Sequence, residues 1–421
     1  MDSSIKIFIN NFPNPVHKLV SIGSSGKAIK KTSPTILTGF DMGGSVKDLM
    51  NNAMSKFFLS LILYDEVIVT DSVFKKIILC IGLENCLVLL ETKKIKLIYD
   101  KVDFELEFLN RSGSRLKLTN NMVVIPLVYY VDRNFKEFSN KKSLKSKFVQ
   151  YLENSLLEDV QSLEDDADNS IYQHAFDELI KEVASPEISN KFLHGVETIQ
   201  DMDPFQATKA MRLLNTLKGF SFQQKSGADV ILQDAFSKDY LNTKLAFILK
   251  SESVDKIDFF SEITKIKGIP DIYHLLKTNV LDIHDIVRFT ASNESKFFRD
   301  WYTNEDISKE DIYLKLMSNK KGGVLSKGVR WLYPNIVGLV NPVLGGIASG
   351  IDSFIVEKIA NGWSPNIFLD DFLKSNIDLL IEKQERSIKK QEIIKRFGSV
   401  KPNTLCPCQS GLKFKKCHGY D

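Results

Sequence analysis

Three thiols and one imidazole fall within thirteen residues of this chain of 421: Cys406, Cys408, Cys417 and His418, spaced Cys-x-Cys-x8-Cys-His. No other stretch restricts the fold so tightly. Thiolate and imidazole are the donors a tetrahedral zinc ion prefers, and four protein donors close the coordination shell, as in structural rather than catalytic sites. Pro407 fixes the backbone between the first two thiols, and Gly411 lets the chain reverse. Leu412 to Lys416 spans about one helical turn, which returns Cys417 and His418 to the first pair. So short a segment cannot bury a core of its own, and bound metal must supply its folding free energy. The cofactor expected is therefore Zn2+. Disulfides are the competing use of clustered cysteines. The opening Met1-Asp2-Ser3-Ser4-Ile5-Lys6 carries no basic-then-apolar segment, which predicts a cytoplasmic address, where zinc is the commoner fate.

The stretch Cys406-Pro407-Cys408-Gln409-Ser410-Gly411-Leu412-Lys413-Phe414-Lys415-Lys416-Cys417-His418 resembles the SEC-C motif, a zinc-binding module known from the C-terminus of the bacterial preprotein translocase ATPase. The pattern of that motif runs roughly C-P-C-G-S-G-K-K-[YF]-K-x-C-[CH]. Gln409 stands where the pattern has Gly, and Leu412 where it usually has Lys. A positive φ at position 409 would strain Gln by about 1–2 kcal/mol. The departures touch the turn and leave the ligand set intact. The resemblance covers residues 404–421. It implies zinc ligation by Cys406, Cys408, Cys417 and His418, and docking on a partner through Lys413, Phe414, Lys415 and Lys416.

Charge is distributed unevenly. Lys383 to Asp421 holds ten Lys/Arg against three Asp/Glu, a balance of +7, which leaves −4 for residues 1–382 of a chain whose net charge is +3. A basic tail on a mildly acidic body suits an anionic partner, either a protein face or ribosomal or other nucleic acid; a solvated basic helix would read the same way. Cys80 and Cys86 lie among apolar neighbours and read as buried, inert thiols.

Residues 1–135 predict an α/β domain. Ile5–Ile9 alternates as a strand, and Val46 to Leu61 keeps helical spacing after Ser45. Glu66–Thr70 and Ile95–Tyr99 read as strands, with helices near 73–81 and 84–92 between them. Val102–Leu109 and Arg115–Leu118 read as a hairpin, followed by a final apolar strand over Met122–Val131 that Pro126 places on an edge or at a bulge. Gly23-Ser24-Ser25-Gly26-Lys27 lacks the spacing of a phosphate loop. Residues 136–170 read as a charged connection, including the acidic run Glu164-Asp165-Asp166-Ala167-Asp168. Residues 171–397 predict a mainly α-helical domain, with short amphipathic pieces at 241–249, 257–266, 272–276, 283–289 and 297–302. His284, Asp285 and Arg288 share adjacent turns there, as a polar cluster or as a salt-bridged helix surface. Trp331 to Ile351 is twenty-one residues without a charge, long enough to span a bilayer but broken by Pro334, Asn335, Asn341 and Pro342, so a buried helical hairpin is expected. Residues 398–421 form the metal-binding tail, tethered by Gly398-Ser399-Val400-Lys401-Pro402.

The expected class is thus an α/β N-terminal domain, a large helical domain and a small zinc-bound tail. The function this supports is a zinc-tailed binding or adaptor protein of a bacterial cytosol, associated with stress or phage defence. Two other classes stay open: a hydrolase or nuclease whose carboxylates come from separate segments, and a membrane-perturbing effector acting through residues 331–351. No nucleophile elbow, HExxH pair or nuclease carboxylate cluster is present in the sequence.

Overall fold

The computed structural model describes residues 5–10, 12, 21–22, 28–29, 46–99, 102–108, 116–123, 126–135, 142–157, 171–196, 198–199, 202–232, 235–245, 256–303 and 365–419. They form two compact units, Met1–Ser261 and Glu262–Asp421.

The first unit is built on β1 (Lys6–Ile9). The short strands β2 (Ser21–Ile22) and β3 (Ala28–Ile29) pair with each other. Helix α1 (Val46–Leu63) leads into β4 (Glu66–Thr70), and α2 (Asp71–Ile81) with α3 (Leu83–Glu91) into β5 (Ile95–Ile98). An antiparallel hairpin of β6 (Val102–Phe108) and β7 (Leu116–Val123) follows. Then come α4 (Leu127–Asn134), α5 (Lys142–Ser155), α6 (Ile171–Ala184), α7 (Pro186–Phe192) and α8 (Pro204–Ser226), before β8 (Val230–Leu232) and α9 (Ala235–Leu245).

Strands β5, β4, β1 and β8 form one sheet in that order, and every pairing is parallel. Parallel strands need helical crossovers that cover both faces, so their sequences read as unbroken apolar runs. Ile7, Phe8, Ile9, Val67, Ile68 and Val69 are all fully buried. Phe8, Ile68 and Ile98 join Tyr172 and Leu179 of α6 and Leu213 and Phe222 of α8 in one apolar cluster. Helices α1 and α2 pack against β4, and α2 and α3 against β5. At the amino end of β1, the backbone N–H groups of Ile5 and Lys6 donate to the carboxylates of Asp65 (3.1 Å) and Asp229 (2.7 Å). Just past its other end, the Asn10 side chain donates to the Asn215 carbonyl at 2.7 Å. A Cβ at Gly219 would lie 2.6 Å from that amide nitrogen, so α8 approaches the strand end there only as glycine.

In two places the structure departs from the sequence reading. Met122–Val131 is not a strand: β7 ends at Val123 and α4 starts at Leu127. Leu127 and Val131 are one helical turn apart and both buried, and Pro126 precedes the first turn, where its missing N–H costs nothing. The division at 136–170 also differs from that of the structure. Helix α5 occupies part of that connection, Leu156 bridges Leu97 in parallel, and β8 beyond it completes the sheet. A strand as short as Val-Ile-Leu carries too few residues to show a period.

Helix α10 (Lys256–Ile266) begins in the first unit, where Asp258 lies 2.6 Å from both Lys56 of α1 and Lys238 of α9. The second unit continues with α11 (Ile272–Lys277), α12 (Ile283–Ala291) and α13 (Asn293–Tyr302), all at positions where the sequence predicts helix. A π-helical stretch, Ile367–Lys374, runs directly into α14 (Ser375–Phe397). Its core is aromatic: Phe298 stacks on Phe368 with centroids 4.7 Å apart, and Phe289 meets Phe372 edge-on. Lys267 holds the Asp370 carboxylate from both oxygens, at 3.0 and 2.8 Å. The uncharged stretch Trp331–Ile351, Gly23–Lys27 and the acidic run 164–168 lie outside the described residues. Among the described residues no helix is long and apolar enough to cross a membrane.

Candidate metal centre

Helix α14 carries the centre. Ile377 is its buried residue, while Leu379, Ile388, Ile394 and Phe397 are exposed. Pairs one turn apart, Arg386 with Glu382 at 3.0 Å and Lys389 with Glu385 at 3.9 Å, lie along its solvated surface. The Gly398 N–H donates to the Ile394 carbonyl at 2.8 Å and closes the helix.

The segment beyond folds into a knuckle held by its own backbone. Leu405 and Lys413 face each other across a short antiparallel bridge, flanked by Cys406 N–H to Leu412 O and Phe414 N–H to Thr404 O, both 2.8 Å. Lys415 N–H donates to the Pro402 carbonyl at 2.9 Å. The chain reverses through Gln409 (φ 64°) and Gly411 (φ 73°), on either side of Ser410. Phe414–Lys416 forms a single 3-10 turn, and the Phe414 carbonyl accepts from both Cys417 N–H (3.0 Å) and Gly419 N–H (2.7 Å). That turn delivers Cys417 and His418 to the first two thiols, as the sequence spacing predicts.

The four donor atoms all lie within 4.8 Å of one another. Cys406 Sγ and Cys417 Sγ are each 3.2 Å from His418 Nδ1, and Cys408 Sγ is 3.5 Å from Cys417 Sγ. A tetrahedral ion with bonds of about 2.0–2.3 Å needs donors about 3.3–3.8 Å apart, so the set fits such an ion and presents Nδ1 as the imidazole donor. Hydrogen bonding from Ser410 holds the Cys408 thiol down to about 6, favouring the thiolate that ligates metal. Cys406 is buried, and burial pushes its thiol up. Burial does the same, more strongly, to Cys86 in α3.

Residues 403–419 match the SEC-C motif. The match covers the knuckle and leaves the sheet and the helical body without a family. No curated protein and no solved structure matches the chain. The SEC-C stretch is thus a metal-binding cluster of three cysteines and one histidine on an otherwise unassigned fold.

Of the tail residues read as partner-binding, Lys413, Lys415 and Lys416 are exposed. Phe414 is 5% exposed, its ring beneath Gly419, so it supports the knuckle, and Leu405 and Leu412 are the exposed apolar groups instead. The sequence reading did not single out Gly419. A Cβ there would lie 2.6 Å from Phe414 Cδ1, and a glycine directly after Cys-His is the only signal that could have marked it. The polar cluster on α12 is a helix start closed on itself. Asp282 and Asp285 form a reciprocal capping box, Arg288 pairs with Asp285 at 3.0 Å, and His284 is exposed beside them.

Proposed function

We propose that this chain is a binding protein that docks on an anionic macromolecular surface through a zinc-stabilised tail. The observation that carries it is the pairing of a Cys3His cluster with exposed Lys413, Lys415 and Lys416, at the end of a solvated basic helix. Cys406, Cys408, Cys417 and His418 would hold the ion, which supplies the folding free energy of the knuckle rather than chemistry. Lys413, Lys415 and Lys416 then project from a fixed backbone, which lowers the ordering cost of binding. Exposed Leu405 and Leu412 add apolar contact, which favours an acidic protein face over a nucleic-acid backbone. A cytoplasmic setting in bacterial stress or phage defence is consistent with this role.

The test has two parts. Elemental analysis of the purified chain should find about one zinc per chain, lost in Cys406→Ser/Cys408→Ser; its absence ends the reading. Binding to labelled polyglutamate and to single-stranded RNA should then fall with salt, and charge reversal of Lys413, Lys415 and Lys416 should weaken it and flatten that dependence. Binding to neither polyanion would remove electrostatic docking.

A further inference from the structure

We infer that Ser410 is the positioning residue of the metal cluster: its hydroxyl donates to the Cys417 thiolate and fixes that ligand's orientation. The inference rests on the metal-binding reading above. Ser410 Oγ lies 3.1 Å from Cys417 Sγ, and the Leu412 N–H approaches the same oxygen at 3.4 Å. A thiol that ligates metal has lost its proton, so its sulfur can only accept. The hydroxyl must then be the donor toward sulfur, while the Leu412 amide occupies its acceptor side. The direction of the bond is fixed by what each neighbour can do.

Backbone geometry places the hydroxyl there. Ser410 sits between two residues in the left-handed region, Gln409 and Gly411, and this double reversal turns its side chain inward although the residue itself is exposed. Charge explains the need. Three thiolates around a divalent ion leave one excess negative charge. The lysines that could offset it from a distance are exposed and screened. A donor within hydrogen-bond reach of sulfur is not screened in that way, and charge-assisted bonds of this kind are roughly twice as strong as neutral ones. Outer-shell partners of metal ligands typically change metal affinity by about 10- to 100-fold when removed. Cys406 is buried, whereas Cys417 is partly and Cys408 fully open to water, and of these two outer thiols it is Cys417 that lies 3.1 Å from the hydroxyl.

The experiment uses the full chain and measures zinc affinity by chelator competition, with cobalt(II) absorption as the report on the ligand set. Ser410→Ala should bind zinc about 10- to 100-fold more weakly. It should keep the tetrahedral, thiolate-rich cobalt spectrum, because no ligand has been removed. Ser410→Thr, which retains the hydroxyl, should restore affinity to within a few-fold of wild type, a rescue that a role in backbone turning alone would not give. Equal affinities for wild type and Ser410→Ala would overturn the inference and leave the metal site standing. So would loss of affinity in both variants, or a cobalt spectrum in Ser410→Ala lacking a thiolate band. Wild type without measurable zinc affinity would remove the metal site and the role of Ser410 together.

Discussion

Gln409 holds φ at 64°, a conformation that costs an L-residue about 1–2 kcal/mol through the contact of its Cβ with the following carbonyl. Glycine there would relieve the strain, but it also loses more backbone entropy on ordering, by about 0.5–1 kcal/mol. The difference favours glycine modestly. Gln409→Gly should therefore tighten zinc binding by about two- to fivefold in chelator competition, and a weaker variant would show that the turn is unstrained. Gly419 behaves in the opposite sense. Its added Cβ would meet the Phe414 ring at 2.6 Å and the Phe414 carbonyl at 3.1 Å, and that carbonyl already accepts the Gly419 N–H. Ring and backbone would both have to move, taking adjacent His418 with them. Gly419→Ala should lower zinc affinity about tenfold or more, with weakened cobalt bands from lost imidazole ligation. The four ligands were legible because metal chemistry admits few donor types. The seat beneath them was not, because a close backbone approach leaves no pattern along the chain.

At the scale of elements, helix α8 is informative because a general rule fails there. Replacing an interior helix glycine by alanine ordinarily stabilises by about 1 kcal/mol. At Gly219 the new methyl would displace the Asn10 side chain, break its bond to the Asn215 carbonyl and leave a half-buried amide poorly paired, a cost of about 1–3 kcal/mol. Gly219→Ala should thus destabilise in chemical denaturation. Most of the loss should disappear when Asn10→Ala is added, and a stabilised single variant would contradict the packing. Asp258 offers a pH-dependent counterpart. Burial alone would raise its carboxyl, but the bonds from Lys238 and Lys56 overcome that and hold it below its usual value. A depressed folded value means the pair stabilises at neutral pH and is lost as pH falls below about 4. Asp258→Asn should therefore cost stability at pH 7, and the gap to wild type should close in acid. Local patterning read most elements correctly where one period dominated. Over Met122–Val131 it failed, because a short apolar run satisfies strand and helix periods alike and only the burial of Leu127 and Val131 decides between them.

For the whole molecule, sequence shows the order of elements but not which distant segments close the sheet. Val230–Leu232 pairs with Ile7–Ile9 across more than two hundred residues, and nothing local in three apolar residues announces it. The tail is the reverse case, since its backbone bonds run among residues 401–419 and so its fold is local. Helix α14 runs from its buried Ile377 to Phe397 over twenty residues, about 30 Å, with exposed side chains beyond the first turns. The energetics of knuckle and body should accordingly be separable. Deleting residues 401–421 removes the ligands and the bridge but no buried side chain outside the knuckle. A loss of 1 kcal/mol would lower the midpoint of a domain of about 200 residues by roughly 2–4 °C. The expected shift on deletion is smaller than that, and chelation of the intact chain should leave the same transition in place while abolishing binding to polyanions. A fall of several degrees under both treatments would mean that the metal-bound knuckle docks into the body and stabilises it. In that case Lys413, Lys415 and Lys416 would be committed to an internal contact and could not serve as the docking face.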